Sequence, residues 1–330
     1  MRFAVVGAGG WGTAVARMLA NAGHETLLWA REPGLAEEIA TTRRNVVFLP
    51  GVELPTDNLT TTDKIEETVA ADVLMLAVPS FAMKEMLDRI AQHVQPKPVM
   101  VNLAKGLDPD SRRTMTELVL DRLPEAKALT LSGPSHAEEV ARDMPTAVVL
   151  AGQDAELGQR LQRELSTTRF RVYLSTDVRG VELCGTIKNV IALASGISDG
   201  LGYGDNSRGA LITRGLAEMV RFGRPLGVRN ETFFGLSGLG DLVATCTSDH
   251  SRNRYVGYRL GRGDSIEQIL SEMATVAEGV RATRSVHEIA REKGIEMPIT
   301  EAVCRLLSGE ADPLSLVDEI MTRSPKREGQ

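Results

Sequence analysis

Residues 2–12 read RFAVVGAGGWG. A short apolar run stops at a glycine-rich turn. The next segment, WGTAVARMLANAG, has helical spacing and ends at Gly23. A strand feeding a glycine turn and then a helix is how a βαβ unit opens. The turn itself, GAGGWG, is a G-x-G-x-x-G over residues 7–12. That pattern is weak in isolation, but between a strand and a helix it reads as a cradle for a dinucleotide pyrophosphate. Gly7 permits the tight turn, Gly9 lets the backbone approach the phosphates, and Gly12 lets helix and strand pack closely. The helix N-terminus adds N–H donors and the positive end of its dipole. Gly10 and Trp11 sit where the loop faces the ligand. The plainer alternative is a glycine turn that binds nothing.

Working outward, the same alternation continues. Strand-like ETLLWAR, DVLMLAVP, KPVMVNLA, ALTLSGP, PTAVVLAG and RFRVYLS are separated by helical LAEEIATTRR, FAMKEMLDRIAQHV, RTMTELVLDRLP, HAEEVARDM and AELGQRLQREL. Continuously apolar strands between amphipathic helices predict a parallel sheet covered on both faces. From Val178 the strand-like runs vanish and helical spacing takes over, as in VELCGTIKNVIALASGI, GALITRGLAEMVRFG and RATRSVHEIAREKG. The expected class is α/β. A Rossmann-like dinucleotide-binding domain with a mostly parallel sheet spans 1–177, and an all-helical substrate and catalytic domain spans 178–330. The last residues, SPKREGQ, read as a frayed tail.

Composition sets the outer bounds. The chain has 330 residues, 42% hydrophobic and 25% charged, as expected of a globular protein with about two domains. A net charge of −6 argues against non-specific nucleic-acid binding, which needs a basic face. The N-terminus lacks the apolar core of a signal peptide, and no run of 18 apolar residues predicts a membrane span. Cys184, Cys246 and Cys304 are far apart and read as reduced thiols of a cytosolic protein. No Cys or His spacing suggests a metal.

Three other places carry chemistry. Residues 183–198, LCGTIKNVIALASGIS, hold one charge, Lys188. The stretch is too short for a bilayer and reads as a buried helix. Cys184, Gly185, Ala192 and Ser195 share the lysine's face and are all small, which suggests room around it, as in a pocket wall. Partial burial would lower its pKa towards a range useful for proton transfer. The alternative is a lysine that snorkels to water. Lys105, in NLAKGLD, and Gly133, Ser135 and His136, in LSGPSHAEEV, follow the ends of apolar strands. In open α/β sheets ligands bind beyond those ends. Residues 235–256, GLSGLGDLVATCTSDHSRNRYV, combine a glycine turn, read as flexible, with Asp241, Thr245, Thr247, Ser251, Arg252 and Asn253. An arginine between Ser and Asn suits a phosphate or carboxylate. Arg31, just past the second strand, suits a 2′-phosphate and favours NADP(H). The adjacent Glu32 keeps NAD(H) open.

At these residues the chain resembles the bacterial NAD(P)-dependent glycerol-3-phosphate dehydrogenases. The segments that carry the resemblance are GAGGWGTA, RNVVFLPG, LAVPS, AKGL, SGPSHAEEV, CGTIKNVIALASGISDGLGYGDN and GLSGLGDLVATCTSDHSRNRYVG. The resemblance implies reversible hydride transfer between NAD(P)H and dihydroxyacetone phosphate, giving sn-glycerol 3-phosphate for phospholipid synthesis in the cytoplasm. It makes Lys188 the acid/base. It places Lys105, Gly133, Ser135, Lys188, Asp241, Ser251, Arg252 and Asn253 around the substrate. It places Gly10, Trp11, Arg31, Lys105, Ala137, Arg252, Val276 and Glu278 around the cofactor, beside Gly7, Gly9 and Gly12 of the loop. Homodimers are common among such enzymes, and no metal is implied. The rival readings are another two-domain dehydrogenase acting on a hydroxy acid or sugar phosphate, and a non-catalytic NADP(H) sensor.

Overall fold

Short β-branched and apolar runs flanked by glycine, proline and charge form ten strands in the computed structural model, which describes residues 1–273, 277–324 and 327. They are β1 (Arg2–Val6), β2 (Glu25–Trp29), β3 (Arg44–Asn45), β4 (Leu49–Glu53), β5 (Leu59–Thr62), β6 (Val73–Leu76), β7 (Val99–Asn102), β8 (Lys127–Ser132), β9 (Thr146–Ala151) and β10 (Phe170–Ser175). Eight make one sheet in the order β5-β2-β1-β6-β7-β8-β9-β10, and β3 and β4 pair separately. The first six strands of that order are mutually parallel, with the order of a doubly wound dinucleotide fold. The strand order reverses between β1 and β6, so the crevice beyond the carboxyl ends of these strands opens there.

The sheet departs from the sequence pattern at β9, which runs antiparallel to β8. A parallel connection needs a crossover element long enough to return across the sheet. The segment HAEEVARDM supplies only one helical turn, Ala137–Val140, so the chain reverses instead. β10 then follows β9 in parallel. Strand β5, sequence LTTT, was not legible as a strand because three of its four residues are threonines. Side chains alternate between two apolar layers. Phe3 and Val5 face helices Gly10–Asn21 and Ala155–Leu165, while Val6, Leu74 and Leu76 face Met83–Ala91 and Met115–Arg122.

After β10 the described residues contain no further strand. The lone-lysine stretch lies in a 23-residue helix, Val178–Gly200, longer than the quoted run. It begins at Asp177, whose carboxylate accepts from Gly180 N (3.0 Å). By length and composition it is one helix able to cross a membrane, yet 94% of its most apolar window is buried inside the protein. An all-round apolar helix of this kind is a core element. Helices Asp205–Gly223, Asp241–Thr247, Arg252–Gly261 and Glu278–Glu292 surround it. Its contact with Arg252–Gly261 is unusually close. A Cβ on Gly257 would lie 2.1 Å from Leu193 O, and one on Gly196 would lie 2.0 Å from Arg254 O. Only glycine allows the two backbones to meet this way. The frayed tail expected at SPKREGQ falls mostly on residues 325, 326 and 328–330, outside the described residues.

Candidate active site

Two lysines from different halves of the chain meet on one carboxylate. Lys105 follows β7 by three residues. Lys188 sits in the middle of helix Val178–Gly200, and Asp241 begins helix Asp241–Thr247. Lys188 Nζ donates to Asp241 Oδ1 (2.6 Å) and Thr245 Oγ1 (2.7 Å). Lys105 Nζ donates to Asp241 Oδ2 (2.7 Å) and to Gly133 O (2.8 Å). Thr245 in turn donates its hydroxyl to Asp241 O (2.6 Å). The glycine stretch expected to be a flexible turn is instead a wide helical turn, Leu236–Gly240, closed by Gly240 N to Gly235 O (3.1 Å). Such five-residue closures recur at functional sites, and this one delivers Asp241 between the lysines.

Lys188 and Asp241 are buried, and Lys105 is half-buried. Lys188 is 5% exposed and Asp241 2%, so Lys188 does not snorkel. Burial pulls the Lys188 pKa down from 10.5 to about 8, with Asp241 opposing and Lys105 assisting. Burial pushes Asp241 up, but the charges of Lys105 and Lys188 outweigh it and hold the carboxyl below its usual range. Two ammonium groups share one carboxylate, which leaves one net positive charge. Each ammonium has three donors and spends two on these bonds among the described residues. One N–H of each therefore remains for a ligand.

The small residues on the Lys188 face do not leave open space. Cys184, Ala192 and Ser195 are fully buried, and Ser195 donates to Cys246 O (3.1 Å). Their smallness serves close helix packing, and only Gly185 borders the site, where a Cβ would lie 3.5 Å from Lys105 Cγ. Ser135 donates to Gly133 O (3.0 Å), so it belongs to the same corner. His136 places Nε2 3.4 Å from Ala244 O and tilts against His250; burial, then Lys188, pushes its pKa down.

The SRNR run is the start of helix Arg252–Gly261. Ser251 caps it by accepting from Arg254 N (3.2 Å). Arg254 is tied to Asp199 and Asp249. Asn253 donates to Asn189 Oδ1 (3.0 Å) and accepts from Gly279 N (2.9 Å). Arg252 is exposed at this helix N-terminus, and its charge acts on Glu278.

Most of the residues expected around a cofactor lie near the crevice of the sheet. Gly7 has φ 121°, and a Cβ there would lie 2.8 Å from Ala77 O. A Cβ on Gly12 would lie 1.9 Å from Gly7 O, whereas at Gly9 nothing stands within 4 Å. The loop is thus closed towards the protein and open where a pyrophosphate would approach. Ala137 Cβ lies 3.7 Å from a Cβ built on Gly10, and Trp11 Nε1 is a buried donor without a partner. These features fit a bound dinucleotide. Arg31 is exposed beyond β2 and pairs with Glu32 (2.9 Å). Glu278 reaches across the crevice and accepts from Ser80 N (2.9 Å) and Oγ (2.7 Å), beside Gly106. Val276 lies outside the described residues. Sequence reading singled out neither Ser80 nor Asn102 and Glu182, which brace the site. Nothing in their local sequence distinguishes them from ordinary polar residues near strand and helix ends. Among the described residues, no group of three or more His, Cys, Asp or Glu is arranged to hold a metal.

The comparisons agree on both halves. Residues 2–158 match the family model for the NAD-dependent glycerol-3-phosphate dehydrogenase N-terminus, and residues 177–318 that for the C-terminus. A glycerol-3-phosphate dehydrogenase [NAD(P)+] of Geobacter metallireducens is 49% identical over 331 residues, covering 99% of this chain and 98% of the relative. One from Salinibacter ruber is 46% identical over 325 residues, covering 98% and 95%. The crystal structure of glycerol-3-phosphate dehydrogenase from Coxiella burnetii superposes with a TM-score of 0.94 at 40% identity, covering 98% of this chain and 99% of that one.

Proposed function

The chain belongs to the NAD-dependent glycerol-3-phosphate dehydrogenase family, and from that premise we propose that it interconverts dihydroxyacetone phosphate and sn-glycerol 3-phosphate at the Lys105–Asp241–Lys188 cluster. The observation that carries the reading is the pair of ammonium groups on one buried carboxylate, Lys188 buried and Lys105 half-buried, each with a donor to spare. NAD(P)H, when bound, supplies the hydride. The glycine loop, Gly10, Trp11 and Ala137 would hold its phosphates and ribose, Arg31 would meet a 2′-phosphate, and Glu278 fixes the loop after β6.

As hydride reaches the carbonyl carbon, negative charge grows on the carbonyl oxygen. The free N–H of Lys188 stabilises that charge and passes its proton to the oxygen. Asp241 and Thr245 hold the Lys188 amine in place through the transfer, and Lys105 keeps a second positive charge beside it. In the reverse direction the neutral amine takes the proton from the hydroxyl. Arg252, with Ser251 and Asn253 behind it, anchors the phosphate and aligns the carbonyl. Gly133 and Ser135 close the wall beside Lys105. This role supplies glycerol 3-phosphate for phospholipid synthesis, and with it go a cytoplasmic location and a homodimer.

The test is NADPH oxidation with dihydroxyacetone phosphate against unphosphorylated dihydroxyacetone, repeated with NADH. Turnover confined to the phosphate ester is expected. Equal rates on both substrates would remove the anion role of Arg252. Tight NADPH binding with no turnover on either would favour another dehydrogenase substrate or a sensor.

A further inference from the structure

We propose that Glu182 is a positioning residue that sets the spacing of the two lysines by bolting the helix of Lys188 to the strand that leads to Lys105. This rests on the reading of the lysine pair as the reacting site. Glu182 touches neither lysine. It lies six residues before Lys188 on the same helix, and it is 4% exposed.

The bonds run along one face of the helix. Glu182, Gly185 and Asn189 stand at i, i+3 and i+7, so they point the same way. At the first position, Glu182 Oε1 accepts from Asn102 Nδ2 (2.7 Å) and from Thr116 N (3.1 Å). Its Oε2 accepts from the Thr116 hydroxyl. At the second, Gly185 lets the helix lie against the Lys105 stem. At the third, Asn189 Nδ2 donates to Lys105 O (3.1 Å). The helix thus grips the 102–105 segment at both ends.

Asn102 transmits the first grip. It is the last residue of β7. Its Oδ1 accepts from Ala104 N (2.9 Å), and its Nδ2 also donates to Ala104 O (3.1 Å). Glu182 Oε1, together with Thr130 Oγ1 (3.2 Å), accepts from the amide nitrogen and so keeps it turned away from Ala104 N, which donates to the amide oxygen. That orientation fixes the backbone one residue before Lys105. A buried carboxylate bound only by neutral donors is a costly arrangement. Burial pushes its pKa up to about 7 against the hydrogen bonds from Thr116, Thr114 and Asn102. Its position at the N-terminus of helix Met115–Arg122 offsets part of that cost. Packing alone would be served as well by an apolar side chain. What Glu182 adds is a directed link between the two halves that carry the lysines, which must sit on opposite oxygens of Asp241.

The experiment compares Glu182→Ala, Glu182→Gln and Glu182→Asp, with Lys188→Ala alongside, for NADPH affinity, kcat, KM and pH profile. In Glu182→Ala, NADPH affinity stays within about threefold while kcat falls about 10–100-fold, the scale of an ångström misplacement, and the pH profile of kcat moves. Glu182→Gln keeps an acceptor for Asn102 and Thr116 and restores kcat to within about threefold of the native protein. Should the alanine variant not fold, aspartate decides. It retains the charge, falls one methylene short, and is expected to lose more kcat than glutamine. Wild-type kcat and pH profile in folded Glu182→Ala, or in both the Asp and Gln variants, would overturn the proposal. So would a loss that glutamine does not repair. Lys188→Ala with near-normal turnover would sink the underlying reading itself. An inactive Lys188→Ala beside unaffected Glu182 variants would sink the positioning role alone.

Discussion

Replacing Lys188 by alanine removes the proton donor while leaving the cofactor loop untouched. The expected result is a folded protein that binds NADPH and loses about 10²–10⁴-fold in kcat; near-normal kcat would take Lys188 out of the mechanism. Its pKa of about 8 gives the pH dependence a sign. Reduction of the ketone needs the ammonium form, so kcat in that direction is flat below pH 8 and falls above it. Oxidation needs the neutral amine, so its rate rises through the same range. Initial rates in both directions across pH 6–10 check this, and parallel profiles would contradict it. Arg252→Ala removes a charged anchor worth about 1.5–3 kcal/mol. The KM for dihydroxyacetone phosphate should rise about 10–100-fold, and an unchanged KM would send the phosphate elsewhere.

At the scale of elements, the crossing of Val178–Gly200 with Arg252–Gly261 fixes where Arg252 and Asn253 stand relative to Lys188 and Asn189. Gly257→Ala drives a methyl group into Leu193 O, and backbone cannot rotate away as a side chain can. A destabilisation of about 1–3 kcal/mol is expected, read by chemical unfolding; native stability would mean that the helices slide apart freely. A second element-scale device is Glu218, which caps helix Pro298–Leu307 from outside by accepting from Ile299 N (2.5 Å) and Thr300 N (3.2 Å). Burial raises its pKa from 4.5 to about 7. A raised carboxyl pKa contributes stability that is complete below pH 4.5 and is lost as pH rises through about 7. Gln at 218 is neutral throughout. The Tm of Glu218→Gln minus that of the native protein should therefore increase from pH 4.5 to 8, and a constant difference would refute the buried titration.

At the scale of the whole molecule, the two halves are joined by side chains that cross the crevice. Glu278 holds Ser80, Arg281 stacks on Phe81 at 4.3 Å, and Asn189 holds Lys105. A cofactor seated between these contacts stabilises both halves together. NADPH at about 100 times its Kd should add about 2.7 kcal/mol in one cooperative transition. Glu278→Ala should shrink that stabilisation, and two separate transitions of which NADPH moves only the first would contradict the coupling.

The sequence by itself determined the opening strand–turn–helix, the alternation that makes the sheet and the helical texture after Val178, whereas the grouping of Lys105, Lys188 and Asp241 came only from the resemblance of their motifs to a known family. The first three are matters of local spacing and of residue chemistry that few alternatives can satisfy. It did not determine the reversal at β9, because the length of a connecting helix is poorly marked by one amphipathic stretch. Nor did it show that Ser251 and Asn253 spend hydrogen bonds on a helix cap and on Asn189, that the small residues around Lys188 are packing surfaces, or that Glu182 and Ser80 brace the site. The Ser251 cap spans three residues, but the other contacts join groups 51 to 198 residues apart. A polar side chain looks the same in sequence whether its partner is water, a ligand or a distant backbone amide, and burial, which decides among them, is set only when the helices and the sheet close on one another.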